Sequence, residues 1–421
     1  MSPTRTTVVG VVLAVLVAPA LAGAGLAEEP QLSTTAEGVF HPDSPFYRPL
    51  PEETPVADNS QELVASLYRQ GEENFGSPGS PNITINTDNY TAPLIVATAS
   101  DPEYDIGLWN CQDKDPGWDV ELREALRGTH LPEDLEPDAS SDGNVSIYNR
   151  DTGRLVELWQ TRQTVDGGWE ACWGGVIEDA SMSEGSFPVP YGAAAGGLAM
   201  WGYTIRQQEL LDGRIDHVIG VGIPRVKQGV ISWPAVRSDG RNEGDELAMG
   251  QRLRLPADLD LDEFNLSPTA RTVAQAAQEY GFIVTDTSGA IALAGEHVLG
   301  LEEDRYEEIF RGRYSSQEMA GDPARGEDPF PLELLVALPV DYGQHAEPLA
   351  PEEAGPETAT ATEEPETAEA DEAVPTEAAG SDAPVQASES EGPAVGRVVA
   401  AGAVAVATAA LLTIVVLRRR T

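Results

Sequence analysis

Short apolar runs, broken every few residues by turn signals, dominate the middle of this chain. The runs at 94–97, 145–148, 155–159, 169–177, 217–223, 230–233 and 252–255 are rich in β-branched and aromatic residues. That length and composition predict strands. The dividers are Asp142-Gly143, Asp151-Thr152-Gly153, Asp166-Gly167-Gly168 and Asp239-Gly240, residue types that tolerate the positive φ of tight turns.

Helical periodicity is confined to a few places. Ser267 offers a cap, Pro268 suits the first turn, Ala270, Val273, Ala274, Ala277 and Tyr280 share one face, and Gly281 ends the pattern. Two further short helices are expected, at 58–69 with Asp58 or Ser60 as cap and at 302–310. A hairpin is expected to join 282–284 to 291–293 across Asp286-Thr287-Ser288-Gly289. Many antiparallel strands with two or three short helices predict a mostly β architecture, a β-sandwich of jelly-roll or lectin-like type. No internal repeat is visible.

The two ends differ from this middle. Arg5 precedes an apolar run at 8–17, then small residues with candidate cleavage sites at 20–22 and 25–27. Residues 1–27 are therefore expected to be a secretory signal peptide. At the other end, 398–417 carries no charge, with Arg397 before it and Arg418-Arg419-Arg420 after it. Its length suits a bilayer core ~30 Å thick, and the trailing arginines would hold the C-terminus in the cytoplasm. The expected organisation is thus signal peptide (1–27), an irregular acidic lead-in with one short helix (28–76), an extracellular β-rich body (77–345), a stalk (346–396), a transmembrane helix (397–417) and a cytoplasmic tail (418–421). The stalk is almost wholly Ala, Glu, Pro, Thr, Ser and Asp, too poor in apolar surface to fold.

Charge narrows the partners. The chain has 26 Lys+Arg against 70 Asp+Glu, a formal net charge of −44, and its only lysines are Lys114 and Lys227. Such a surface repels nucleic acid and other polyanions and leaves neutral polysaccharide, cations or basic partners open; the membrane, through the C-terminal helix, and a glycan or cell-envelope polymer are the expected partners. The only cysteines, Cys111 and Cys172, lie beside Trp109 and Trp173; an even pair in an exported body is expected to form one disulfide.

Between Asp134 and Asp286 the chain carries an ordered series of short stretches. They include Ser141-Asp142-Gly143-Asn144, Thr152-Gly153-Arg154, Glu157-Leu158-Trp159-Gln160, Trp173-Gly174-Gly175, Gly213-Arg214-Ile215-Asp216-His217, Trp233-Pro234-Ala235, Ser238-Asp239-Gly240, Leu253-Arg254-Leu255-Pro256 and Val284-Thr285-Asp286. In this order the chain resembles a broad, largely uncharacterised family of exported proteins common in actinobacteria. The resemblance implies an exported β-sandwich-like domain, often near polysaccharide processing, and assigns no catalytic residue. Asn144 stands where many relatives carry histidine, which weakens a metal or acid–base role for that turn.

Among polar residues, Glu209, His217 and Asp239, with Asp142 as a fourth, are the candidates for acid–base work on a sugar. The competing expectation is a hydrogen-bonded histidine at a strand start. Trp159, Trp169, Trp173, Trp201 and Trp233 could offer flat faces to sugar rings, with Trp169, Trp201 and Trp233 as the chosen candidates, against core packing as the alternative. The acidic run Asp258 to Glu263 lacks the glycine and the terminal glutamate of a calcium loop, and Gly192 to Gly197 lacks the order of a phosphate cradle. No metal or cofactor is expected. Two functions follow: a membrane-anchored surface module that binds or organises glycans or envelope components, or a tethered polysaccharide hydrolase or lyase.

Overall fold

The structure, a computed structural model, describes residues 39–345. The expected signal peptide, stalk, transmembrane helix and tail lie outside the described residues. Among the described residues no helix is long and apolar enough to cross a membrane.

The body is β-rich, with several sheets and a few mostly short helices. Six strands form the largest sheet, in the order Ile83–Asn86, Ile291–Ala294, Ile219–Ile223, Phe282–Thr287, Arg252–Arg254 and Val336–Ala337. Four strands form a second, in the order Trp173–Ile177, Leu155–Trp159, Val145–Asn149 and Leu94–Ala97. Both sheets are mixed: Ile219–Ile223 runs parallel to Phe282–Thr287, and Leu94–Ala97 runs parallel to Val145–Asn149.

Burial explains why so many runs lack a polar face. In the four-stranded sheet, Tyr148, Leu155 and Ile177 point into the larger core, whereas Ile147, Val156 and Val176 point into the smaller one. Apolar surface is buried on both faces, so the period-two alternation of a half-exposed strand is erased. The larger core also takes in the six-stranded sheet and the two long helices, Ser60–Glu73 and Pro268–Glu279.

The Pro268–Glu279 helix forms as its sequence dictates. Ser267 Oγ accepts from Ala270 N at 3.1 Å, proline occupies the first turn, and Gly281 follows with φ +77°. Its small alanines let the helix lie close on the sheet, and it serves as part of the crossover that parallel pairing requires.

Several expectations are corrected. Phe282–Thr287 and Ile291–Ala294 are not a hairpin, because Ile219–Ile223 lies between them, parallel to the first and antiparallel to the second. The centre of this sheet is glycine-dependent: a Cβ on Gly220 would fall 2.1 Å from the Tyr203 ring. The 169–177 run breaks at Cys172 into two strands that belong to different sheets. The 230–233 run is no strand and makes a single bridge, Ile231 to Met249. In the first long helix neither Asp58 nor Ser60 is the cap; that position is Asn59, and Ser60 Oγ takes Ala337 N instead. The lead-in, where described, is part of the core, with Val39, Phe40, Phe46, Leu63 and Leu67 inside it.

Candidate functional site

Glu209 and His217 do come together. Glu209 sits in the first turn of the Gln207–Asp212 helix, which ends at Gly213 in the left-handed conformation. That reversal returns the chain so that His217 Nε2 lies 3.1 Å from Glu209 Oε2. His217 Nδ1 lies 2.7 Å from the Val218 carbonyl, and Glu209 also accepts from Arg206 N at 2.7 Å. Both side chains are buried, with 2% and 7% of their surface exposed. Burial works to raise the Glu209 carboxyl, but His217 and Arg206 overcome it and hold it below the usual carboxylate range. The pair is a polar knot, more than nine-tenths buried on both sides.

Asp239 lies elsewhere, on the surface, accepting from Thr287 Oγ1 at 2.7 Å. Trp169 is buried in the smaller core, and Trp201 is buried against Tyr148 with ring centroids 5.6 Å apart. Trp233 is part-exposed and lines a surface groove of about 530 Å³ together with Glu184, Ser186, Pro234 and Asp341. Cys111 and Cys172 form the expected disulfide, Cα atoms 5.6 Å apart.

A second polar cluster gathers where the four-stranded sheet meets the glycine-rich 192–197 loop. Its members come from four places in the chain. Arg237 ends the 231–237 segment that supplies much of the Trp233 groove, and its Nη2 donates to Gly192 O and Ala194 O, each at 2.8 Å. Ala195 N donates to Asp286 Oδ2 at 3.0 Å, and Gly192 N donates to Gly174 O at 2.9 Å. The amides of Gly192, Ala195, Gly196 and Gly197 are thus taken within the protein. Asp286 stands at the register break between Phe282–Thr287 and Ile219–Ile223, a place where a bulge re-aims side chains.

Electrostatics sets this cluster apart. Burial pushes the Asp286 carboxyl up to about 7 against the help of Ala195 N, and the charges of Asp239 and Asp142 push the same way. Asp142 is raised too, by burial and by Asp138, although Trp159 Nε1 reaches it at 3.5 Å. Arg237 is lowered by burial, with Asp286 and Asp239 opposing.

Aromatic rings line the adjoining corner. Trp118 stacks on Trp173 at 5.8 Å between centroids, and Tyr191 tilts against Trp173 at 5.5 Å. Lys114 Nζ stands 3.1 Å from the Trp173 ring centroid and 5.3 Å from that of Trp118. Two devices fix this lysine. The Asn110 side chain closes the 110–114 turn by bonding Lys114 N and Lys114 O, both at 2.8 Å, and Cys111 ties the turn to Cys172, next to Trp173. Burial lowers Lys114 to about 8, with the charge of Arg237 assisting.

The sequence reading missed Lys114, Arg237, Asp286, Trp118 and Tyr191 as site residues. One signal was present, since Lys114 is one of only two lysines in a strongly acidic chain. Among the described residues no group of His, Cys, Asp and Glu is arranged to hold a metal ion. Compared with known proteins, the chain matches no family model, no curated protein and no solved structure.

Proposed function

We propose that this protein is a glycan-binding module of the cell surface, held on the membrane by its C-terminal apolar segment. The body would be a sandwich-like scaffold, a reading supported by the shared core of its two main sheets. The observation that carries the function is the run of rings Trp118, Trp173 and Tyr191, part-exposed at both ends, with Lys114 over two of the rings and Arg237 bonded to Gly192 O next to Tyr191. Flat aromatic faces beside a few hydrogen-bonding groups are the usual chemistry of sugar recognition. The Trp233 groove, sharing the 231–237 segment, would extend the contact to further sugar units.

The test is retention of the full chain, solubilised in detergent, on a panel of immobilised glycans. Binding that is lost in Trp118→Ala and Tyr191→Ala supports the proposal. Failure to bind any glycan on the panel removes it.

One observation favours a second reading, a polysaccharide hydrolase or lyase. Asp286, with its proton held to about 7 beside Asp239 and Asp142, has the character of a general acid near neutral pH. Such an enzyme would use Asp286 in place of the Glu209–His217 pair. Glycan turnover abolished by Asp286→Asn would favour it; binding without turnover leaves the module.

A further inference from the structure

We propose that the Trp233 groove is a subsite for an amino sugar, a unit with a free amine within a glycan, whose ammonium group is taken by the carboxylates of Glu184 and Asp341. This rests on the glycan-binding function and names the ligand class.

The groove opens to solvent, and its volume of about 530 Å³ falls in the ~300–1,000 Å³ range of ligand pockets. Reciprocal bonds hold its wall. Trp233 N donates to Asp341 Oδ1 at 2.8 Å, and Asp341 N donates to Ser232 Oγ at 2.9 Å, so the indole and the carboxylate are clamped to one another. Asp341 takes the left-handed conformation, with φ +60°, which is uncommon outside glycine and which Asp and Asn adopt most readily. Gly343 packs on the Trp233 ring, where a Cβ would stand 3.0 Å from Cζ3. Elsewhere Ser186 Oγ donates to Pro234 O at 2.8 Å, and Ser44 Oγ donates to the Glu184 carbonyl at 2.7 Å. The backbone around the groove is thus fixed while its acidic side chains stay exposed.

Charge selects the ligand. No Lys, Arg or His lines the groove, and neither Glu184 nor Asp341 forms an ion pair among the described residues. An ammonium group is drawn to carboxylates and to an indole face alike. A neutral sugar would use only the ring, and an acidic one would meet two like charges. The net charge of −44 raises the local concentration of cations further. The remaining lining suits a pyranose, with Trp233 and Ile231 for its apolar face and Ser186 and Gln344 for its hydroxyls. A free amine on an otherwise neutral ring meets both conditions.

The experiment compares a chitotriose carrying one free amine with its fully acetylated counterpart, on the detergent-solubilised full chain. A single amine keeps the long-range pull of the acidic chain small. The expected result is about tenfold tighter binding of the amine form below the pKa of the sugar amine, in line with a charge-assisted hydrogen bond. Above that pKa the two forms should bind equally. Glu184→Gln combined with Asp341→Asn should bring the amine form down to the affinity of the acetylated one, with the unfolding temperature unchanged, since Asn still accepts from Trp233 N. Glu136→Gln, at an exposed acid outside the groove, should keep the preference. Equal affinity for both forms below the pKa overturns the amino-sugar subsite and leaves glycan binding standing. A preference that survives the double variant overturns it in favour of general attraction to an acidic surface. Displacement of the sugar by a lysine tripeptide of equal affinity overturns it in favour of a site for basic peptides. Absence of binding by either sugar overturns both the subsite and the glycan-binding function.

Discussion

His217 Nε2 lies 3.1 Å from Glu209 Oε2, and both side chains are more than nine-tenths buried. Breaking one half of such a pair strands the other as an uncompensated buried group, at a cost of ~3–5 kcal/mol. We expect His217→Ala to lower the unfolding free energy by about that amount in urea titrations. Asp239→Asn, on the surface and still able to accept from Thr287, should change it by no more than about 0.5 kcal/mol. Equal losses in the two variants would contradict the structural assignment of the histidine.

Glu157 gives a pH prediction. Its carboxyl is fully buried, accepts from Ser146 Oγ at 2.9 Å and Met200 N at 2.7 Å, and has a second oxygen without a hydrogen-bond partner among the described residues. Burial raises it from 4.5 to about 8. The folded state keeps a proton that the unfolded chain loses near 4.5. Stability from this group is therefore complete below the unfolded value and declines as pH rises from there towards 8. Glu157→Gln mimics the protonated acid. It should match the parent near pH 4.5 and exceed it by a few kcal/mol at pH 8, read from urea unfolding at each pH. Asp286 contributes a slope of the same sign, so the comparison is between variants and not of the parent alone.

The disulfide joins residues 61 apart. In the chain-entropy model that loop is worth about 4 kcal/mol, so Cys111→Ser with Cys172→Ser should unfold at markedly lower denaturant. Because the bond anchors the Lys114 turn beside Trp173, the same variant should bind glycans more weakly even where it is fully folded. Unchanged binding would show that the turn is positioned by Asn110 alone.

Lys114 should acylate faster than Lys227 at pH 8. Burial and Arg237 bring its value to about 8, so roughly half is free amine at that pH, against well under a tenth of an ordinary lysine. Lys227 Nζ is also engaged by Glu243 O and Gly244 O. Equal labelling of the two would contradict the charge environment described for the aromatic corner.

Local signals carried some of these features and missed others for a physical reason. The Pro268–Glu279 helix was legible because cap, first-turn proline and terminal glycine act within a few residues. The Cys111–Cys172 bond was legible by arithmetic. The hairpin at 282–294 was misread because a turn signal is blind to a strand arriving from 219–223. Glu209 and His217 were singled out together as candidates for acid–base work, yet nothing in their spacing tells a buried pair from an open one. The aromatic corner was hidden because Lys114 and Tyr191 reach Trp173 only through tertiary packing, and neither turn chemistry nor periodicity marks them.

The placement of Ile219–Ile223 has a consequence for how the chain acquires its shape. This strand is made first, yet both of its neighbours, Phe282–Thr287 and Ile291–Ala294, follow only after the whole 224–281 stretch. Until they arrive it is an apolar segment with two open edges, and pairing it requires closure of a long loop. Assembly of the central sheet is thus a late event, and the interval before it is when the chain is most exposed to aggregation and to proteases.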